Sequence, residues 1–456
     1  MDKRFPIEDQ IEMLASSLKG RVITPQHAEY EAMRALVPAN YDKRPAGIVR
    51  VANAADVAAV INFAQATGLE LAVRSGGHSV FGGSDGGLVM DLRDLNSIDI
   101  DPVARTAWCS TGLTAGEVTT AVEKYKLIVG FGDTASVGIG GLTSGGGIGY
   151  LVRKQGLTID SVLAAEVVTA GGDILMVDAD NHPDLFWAIR GGGGNFGVVT
   201  RWKYKLHPMP AFTGGPLVLP ATAEIVAKFV ALADAAPDEL SAIASVMRCP
   251  PLPFLPPELA GKTIFMCTMA YAGPADEAAE VLAPFRALAT PYADLIGPGN
   301  YSNLYVPHDP QARLGFGVRS RLIDTFGLKE AQVVIETVNK STALLTLGEI
   351  RVLGGAMARV PAEATAFAHR RDCVQVSFIG VTPDVGDAYN QATWAQAGID
   401  QIEADEDRVY VNFIVGDKAD RRGAAYPPAT MARLRRIKRQ YDPDNLFRLN
   451  QNILPA

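Results

Sequence analysis

The sequence has few cysteines, and their spacing rules out two classes of site. Cys109, Cys249, Cys267 and Cys373 lie far apart, with no Cys-x-x-Cys pair among them. Structural zinc sites and dense disulfide frameworks both need closely spaced cysteines. The four thiols are therefore predicted to be buried and free, and no metal site is predicted.

Long apolar runs are missing as well. No stretch reaches the roughly 18 consecutive apolar residues that a membrane span requires. The first residues, MDKRFPIEDQIEML, carry charges and a proline where a signal peptide has an unbroken apolar core. The expectation is a cytoplasmic protein that does not enter a membrane.

Neither sign of charge dominates the chain. The 42 basic and 50 acidic side chains give a formal net charge of -8, and neither sign is concentrated in a patch that would bind nucleic acid or a membrane surface. The one basic run, RLRRIKRQY from Arg433 to Tyr441, has helical spacing and is interpreted as a solvated helix face. Nucleic acid is therefore not expected as a partner.

Glycine, in contrast, is abundant and clustered. The chain has 45 glycines, about a tenth of its residues against a usual share of roughly 7%. Three clusters stand out: RSGGHS (74–79), SVGIGGLTSGGGIG (136–149) and RGGGGNFGVVT (190–200). Glycine permits positive φ and lets backbone N–H groups approach a pyrophosphate closely. Three such clusters predict a nucleotide cofactor.

The glycine clusters lack the motifs that are typical of ATP and NAD sites, which narrows the choice of nucleotide. No Gly-Lys-Ser or Gly-Lys-Thr follows any of them, which disfavours a phosphate-binding loop for ATP. The second cluster can be scanned for Gly-x-Gly-x-x-Gly, but it does not join the first strand and first helix of a βαβ unit, which disfavours NAD.

A length of 456 residues suits two or three domains. Up to about residue 205, short strands alternate with helices, one capped by Asn53 and ended by Gly68, another opened by Thr114 and Glu117 as a capping box. HPMPAFTGG (207–215) marks a boundary, and the next 200 residues or so predict a sheet with helices on one face. RVYVNFIVG is predicted to be a strand, and the C-terminal tail is expected to return to the first domain.

The motifs RSGGHS, SVGIGGLTSGGGIG, LFWAIRGGGGNFGVVT and YVNF with YDPDNLFRLNQNI resemble those of the vanillyl-alcohol oxidase, or PCMH-type, flavoproteins, specifically the berberine bridge enzyme-like FAD-linked oxidases. The resemblance implies an α+β fold. It places an FAD-binding domain of two α/β subdomains at residues 1–206 (core about 40–206) and a substrate domain with a helix-covered antiparallel sheet at 207–404. Residues 405–456 are a segment that returns to the FAD domain.

The resemblance also implies cofactor contacts. His78 stands where the family links a histidine covalently to the flavin. The other positions implied to contact FAD are Arg74, Ser75, Gly76, Gly77, Ser79, Thr134, Ser136, Gly138, Gly140, Gly141, Ser144, Gly145, Gly146, Gly147, Gly149, Gly197, Val199, Tyr410 and Asn412. Thr134 occupies the position of a second linking cysteine, so a single covalent bond is predicted, as in the 6-hydroxy-D-nicotine oxidase type.

Two further departures concern the walls of the site. Val80 stands where many members have a tyrosine, and Leu142 stands where they have a histidine. Both replacements make the pocket more apolar, which favours an apolar alcohol or amine over a carbohydrate.

Candidate catalytic residues follow from strand alternation. Tyr410 and Asn412 share a face of the predicted strand YVNF, and Gln375 and Ser377 share a face of CVQVSFIG. His369 and Arg370 fit a family pattern, but a structural role is equally compatible with them.

The implied activity is that of an oxidase. A hydride passes from an alcohol or amine carbon of a small metabolite to flavin N5, and dioxygen, the second expected small-molecule partner, becomes hydrogen peroxide. A dehydrogenase with another electron acceptor and a flavin-dependent cyclase or isomerase of secondary metabolism remain alternatives, while a carbohydrate oxidase is less favoured. Either a monomer or a homodimer is expected.

Overall fold

A computed structural model of the chain describes residues 6–209, 211–305, 312–416 and 420–456. The first five residues of the predicted FAD domain, and Pro210 in the predicted boundary, lie outside the described residues. A small sheet is formed by β1 (Arg21–Ile23), β2 (Gly47–Arg50), β3 (Leu71–Arg74) and β4 (Leu88–Asp91), in the order β1-β2-β4-β3. An antiparallel sheet follows, formed by β5 (Ile98–Asp101), β6 (Thr106–Ser110), β8 (Val162–Val168), β9 (Ile174–Asp178) and β10 (Val198–Lys205), in the order β5-β6-β10-β8-β9.

Seven helices and one short ribbon connect these strands within the described residues. The helices are α1 (Ile7–Ala15), α2 (Tyr30–Arg34), α3 (Ala54–Thr67), α4 (Ala115–Glu123), α5 (Ile139–Gly145), α6 (Val152–Gln155) and α7 (Pro183–Ile189), with a 3-10 turn at Thr158–Ser161. The ribbon pairs β7 (Leu127–Ile128) with β11 (His207–Pro208).

Local sequence signals are confirmed in this region. Asn53 caps α3 by accepting a hydrogen bond from the Asp56 N–H, and the helix ends at Gly68 with a φ of 74°. Thr114 and Glu117 form the predicted capping box of α4. These devices act within a few residues, which is why the sequence alone identified them.

The second half of the chain forms one large antiparallel sheet. It contains β12 (Thr213–Pro220), β13 (Leu240–Arg248), β14 (Thr263–Tyr271), β15 (Ala293–Asp294), β16 (Gly297–Pro298), β17 (Gly315–Ile323), β18 (Leu345–Leu353) and β19 (Cys373–Thr382). The order is β15-β12-β14-β13-β18-β19-β17, with β16 beside β12. The helices that accompany these strands are α8 (Ala223–Ala235), α9 (Ala278–Arg286), α10 (Leu328–Lys340), α11 (Ala356–Arg359) and, after β19, α12 (Ala388–Asp400), and 3-10 turns lie at Pro257–Leu259, Tyr301–Leu304 and Val385–Asp387.

The two faces of this sheet have different neighbours. Ile350 and Val352 of β18 pack into an apolar core with residues of α8, α10 and α12, such as Phe229. Because side chains alternate along a strand, Glu349 and Arg351 point to the opposite face. The predicted sheet with helices on one face is therefore confirmed, and its other face is left for the site.

The C-terminal segment differs from its prediction at YVNF. Residues Val411–Phe413 form a 3-10 turn, followed by α13 (Arg422–Ala425) and α14 (Pro428–Tyr441). The predicted strand is wrong because the Phe413 N–H donates to the Tyr410 carbonyl at 2.8 Å, which turns the backbone back on itself. The Tyr410 side chain is instead held by the glycine loop at Gly147.

The basic run in α14 is helical, but it is not only a solvated face. Lys438 is fully buried, and its Nζ donates to the carbonyls of Asn195 and Phe447 and to the Asp442 carboxylate at 2.6 to 3.0 Å. Burial lowers the pKa of Lys438, and Asp442 opposes that change. The lysine therefore ties the C-terminal segment to the third glycine cluster.

All four cysteines are buried and free of disulfides, as predicted. In the part of the chain that the structure describes, no helix has both the length and the apolar character needed to cross a membrane.

Candidate functional site

A cavity of about 510 Å³ lies where the glycine clusters, the C-terminal segment and the large sheet meet. That volume is within the range of ligand and cofactor sites. The following residues with a predicted cofactor contact line it: Arg74, Ser75, Gly76, Gly77, His78, Ser79, Thr134, Gly138, Gly140, Gly141, Ser144, Gly197, Val199, Tyr410 and Asn412. The three glycine clusters, which are far apart in sequence, thus converge on one space.

The remaining predicted cofactor residues lie behind the cavity wall. Ser136 forms a hydrogen bond with His78, with 2.9 Å between the serine Oγ and the imidazole Nε2. Gly145 packs against the Asn412 side chain, and Gly146 packs against the rings of Phe367 and Tyr410. Gly147 packs against Thr158, and Gly149 packs against the Phe131 carbonyl. These glycines hold Asn412 and Tyr410 close to the loop.

The first two glycine clusters touch each other through Gly76 and Gly138. A Cβ on Gly76 would lie 2.3 Å from the Gly138 nitrogen, and one on Gly138 would lie 2.2 Å from the Gly76 nitrogen. Both residues line the cavity, so only glycine lets the two loops approach and present backbone N–H groups to it.

Within the described residues, the wall near the glycine loops offers backbone groups and not a free cation to a pyrophosphate. Arg74 lines the wall, but its guanidinium is committed to the buried Asp91 carboxylate at 2.8 Å, and burial lowers the pKa of Arg74. Its side chain therefore braces β3 and β4. A pyrophosphate here would be held by backbone N–H groups of the glycine loops, which is the cradle that a dinucleotide needs.

We predict that Gly138→Ala lowers the flavin content of the purified protein. The new Cβ would collide with the backbone of Gly76 and with the Ser75 hydroxyl, which forces the two loops apart. The ratio of flavin to protein absorbance measures the effect. Gly423→Ala is the matched control, because that helical glycine has open space around its Cβ position. Equal flavin content in both variants would contradict the prediction.

Tyr410 and Asn412 meet at the cavity through the 3-10 turn. The Tyr410 hydroxyl accepts hydrogen bonds from the Gly147 N–H at 2.8 Å and from Asn412 Nδ2 at 2.7 Å. Burial raises the pKa of Tyr410 to about 12, while the two donors and the Arg351 charge act against that rise. The donors that converge on its oxygen offset part of the cost of deprotonating this buried phenol.

Gln375 and Ser377 share a face of β19, as predicted, and this face carries Ile379 into the cavity wall. The two polar residues themselves are fully buried and do not line the cavity. Gln375 Nε2 donates to Ser377 Oγ at 3.2 Å. Register pairs Gln375 with Arg351 and Ser377 with Glu349, so they lie beside a charged cluster.

That cluster was missed by the sequence reasoning. Arg351 lines the cavity and forms ion pairs with Asp133, which is also in the wall, and with Glu349, whose Oε1 accepts from Arg351 Nε at 2.8 Å. Burial raises the pKa of Glu349, although the Arg351 charge lowers it in part. Burial alone would lower the pKa of Arg351, but the two carboxylates outweigh that effect and raise it. Two charged residues on one face of the apolar strand LTLGEIRVL were a readable signal.

The rest of the wall near Arg351 is apolar. Phe316, Val318 and Ile379 come from the large sheet, and Phe413 comes from the C-terminal segment, with the Arg351 guanidinium 5.3 Å from its ring centre. Val80 and Leu142, the two departures from the family pattern, line the same cavity.

His369 and Arg370 lie away from the cavity wall. His369 Nε2 donates to the Ala424 carbonyl at 2.8 Å, and Arg370 forms a two-pronged ion pair with Asp160. Arg370 Nε also donates to the Phe367 carbonyl, and the Phe367 ring packs on Tyr410 with 5.9 Å between ring centres. His369 and Arg370 therefore have structural roles, holding the segments that pack around Tyr410.

Two family models match the chain. The FAD binding domain matches residues 45–178, and the berberine and berberine-like segment matches residues 409–454. (R)-6-hydroxynicotine oxidase of Paenarthrobacter nicotinovorans is 30% identical over 464 residues, which covers 96% of this chain and 97% of the relative.

Solved structures give the same result for the fold. The crystal structure of 6-hydroxy-D-nicotine oxidase from Arthrobacter nicotinovorans has a TM-score of 0.85 at 27% identity, covering 96% of this chain and 98% of that chain. Xylooligosaccharide oxidase from Myceliophthora thermophila C1, in complex with xylobiose, has a TM-score of 0.83 at 25% identity, covering 98% and 99%. The chain therefore belongs to the berberine bridge enzyme-like family of FAD-linked oxidoreductases.

Proposed function

We propose that this protein is an oxidase that removes a hydride from an alcohol or amine carbon of a small, rather apolar metabolite. The residues of the glycine loops would hold FAD, which would supply the hydride acceptor, its N5, and the route by which the electrons reduce dioxygen to hydrogen peroxide. The observation that carries the proposal is the Tyr410 hydroxyl, which lies in the cavity wall and accepts hydrogen bonds from the Gly147 N–H and Asn412.

Tyr410 is the proposed proton acceptor. An alcohol or amine must lose a proton as its carbon loses a hydride, so a base has to lie in the cavity. The donors at Gly147 and Asn412 stabilise the phenolate that acts as this base, and the Arg351 charge adds to the stabilisation. Asp133 and Glu349 are both ion-paired with Arg351, so neither of these carboxylates is available to take the proton.

The wall composition supports an uncharged, apolar substrate. Among the described wall residues, Arg351 is paired with two carboxylates, Asp133 and Glu349, so it offers no excess positive charge to an anion. Phe316, Val318, Ile379 and Phe413 supply apolar contact area.

A carbohydrate substrate is the second candidate. It is favoured by the fold similarity to xylooligosaccharide oxidase. A sugar presents many hydroxyl groups that need polar partners once they are buried, and the apolar wall supplies few of them. We rank it below an apolar alcohol or amine.

The test is a screen of alcohols, amines and sugars with the purified holoprotein, in which oxygen consumption and peroxide are both measured. The expected result is oxygen consumption with equal peroxide formation, and bleaching of the visible flavin absorbance when oxygen is absent. Bleaching without peroxide formation would indicate a dehydrogenase, and a product with unchanged mass would indicate a cyclase or isomerase. Folded protein that purifies without FAD would overturn the proposal.

His78 is the proposed covalent tether of FAD. Its ring lies in the cavity wall, oriented by the hydrogen bond with Ser136, and a neutral imidazole nitrogen is a nucleophile. The link would replace one C–H bond of the flavin's 8α-methyl carbon by a C–N bond, with the protons lost to solvent and the two electrons passing to the flavin ring, which dioxygen would reoxidise. We expect acid-precipitated wild-type protein to stay yellow and His78→Ala to release its colour into the supernatant. The exposed His182 provides the control, since His182→Ala should keep the colour. Colour retained in His78→Ala would refute the link.

A further inference from the structure

Residues 37–41 connect three separate walls of the cavity. The Val37 N–H donates to the carbonyl of Gly77, the residue before His78, at 3.0 Å. The Ala39 N–H donates to the Leu314 carbonyl at 2.9 Å, at the start of β17. The Tyr41 hydroxyl lies against Gly416, the residue after Val415, which is the part of the C-terminal segment that lines the cavity here. We call residues 37–41 the strap.

The strap covers one end of an exposed sheet edge. Strand β17 is the last strand in the order of the large sheet, so one side of its backbone lacks a neighbouring strand among the described residues. At the far end of this edge the Leu322 N–H donates to the Arg408 carbonyl, and Pro38 forms a parallel bridge with Leu314 at the near end. A sheet edge without a neighbouring strand presents backbone N–H and C=O groups that need other partners.

Asn40 extends this pairing with its side chain. The Phe316 N–H donates to Asn40 Oδ1 at 3.1 Å, and Asn40 Nδ2 donates to the Phe316 carbonyl at 3.4 Å. The amide group thus occupies both backbone groups of Phe316, as a neighbouring strand would. Phe316 and, two residues further, Val318 line the same cavity as His78.

We propose that Asn40 is a positioning residue that sets how far Phe316 reaches into the cavity and thereby controls how readily a substrate enters the cavity. Its bonds act on the Phe316 backbone, because Asn40 does not itself line the cavity. The strap is hydrogen-bonded both to Gly77, next to His78, and to Leu314, at the start of β17. It therefore fixes the distance between the glycine loop that carries His78 and the wall that carries Phe316. The effect on substrate entry rests on the proposed function, whereas the placement of Phe316 by Asn40 does not.

The test places a thiol at the residue that Asn40 holds. The four native cysteines are buried, so Phe316→Cys supplies the reactive thiol, and its rate of labelling by an aromatic disulfide reagent reports the exposure of this position. We expect Asn40→Ala in this background to raise the labelling rate about tenfold or more, as expected from the loss of two hydrogen bonds. Asn40→Asp should give an intermediate rate, because a carboxylate accepts from the Phe316 N–H but cannot donate to its carbonyl.

Controls separate positioning from general destabilisation. Asn96 is exposed, and Asn96→Ala should leave the labelling rate unchanged. The thermal midpoint and the flavin content of the Asn40 variants should stay close to those of the parent. In the holoprotein with Phe316 intact, bleaching of the flavin by sulfite, a small nucleophile, should be faster in Asn40→Ala.

Equal labelling rates in the Asn40→Ala and parent proteins would overturn the proposal, as would a rise that occurs only together with a fall in the thermal midpoint. Neither measurement uses turnover. Failure of the oxygen-consumption screen would therefore count against the oxidase assignment alone.

Discussion

Tyr410→Phe is expected to slow flavin reduction by substrate about 10² to 10⁴-fold, the usual contribution of a positioned acid or base. The variant keeps the ring that packs on Phe367 but removes the oxygen that accepts from the Gly147 N–H and Asn412. Rapid mixing of the oxygen-free holoprotein with the best substrate of the screen measures the rate. Tyr125→Phe, at a half-exposed tyrosine, is the control.

The pH dependence gives an independent check on Tyr410. A base must be deprotonated to act, and a phenol with a pKa of about 12 is mostly protonated at neutral pH. The rate at low substrate concentration should therefore rise with pH between about 7 and 10 in the wild type, and this rise should be absent in Tyr410→Phe. A normal rate in the variant, or the same rise with pH in both proteins, would assign proton removal to another group.

Lys438→Met is expected to lower the free energy of unfolding by about 3 to 5 kcal/mol, the usual loss when one partner of a buried ion pair is removed. The Asp442 carboxylate stays buried without its cation, and the carbonyls of Asn195 and Phe447 lose their donor. Urea unfolding followed by circular dichroism measures the change. Because Asn195 and Phe447 both line the cavity, the flavin content should fall as well.

Two comparisons test this reading of Lys438. Arg436→Met changes an exposed cation of the same helix and should shift stability by less than about 0.5 kcal/mol. Adding Asp442→Asn to Lys438→Met removes the unpaired charge and should recover part of the loss. A small effect of Lys438→Met, similar to that of Arg436→Met, would mean that the buried pair does not hold the segment in solution.

The local features of the chain were predictable because their causes are local. Asn53, Gly68 and the capping box of α4 act within one helical turn. The three glycine clusters predicted a nucleotide site, since a run of glycines changes what the backbone itself can do.

Prediction was weaker where a residue's role depends on a distant partner. The strand expected over YVNF does not form, because the Tyr410 side chain is held by Gly147, which is 263 residues away in sequence. Lys438 was interpreted as part of a solvated face, since its partners in the third glycine cluster and the C-terminal tail cannot be read from helical spacing. Gln375 and Ser377 share the predicted face, but the sheet register places them beside Arg351 and Glu349, and they do not line the cavity.

The sequence by itself determined the class of cofactor, the histidine turn and the helix-covered sheet, because glycine freedom, helix caps and strand alternation are properties of short segments. Only the tertiary structure decided which side chains meet in the cavity beside the glycine clusters. Asp133 and Arg351, and likewise Asn40 and Phe316, are brought together by chain crossings of more than 200 residues. Pairing over such distances is set by the packing of whole sheets, which no single stretch of sequence encodes.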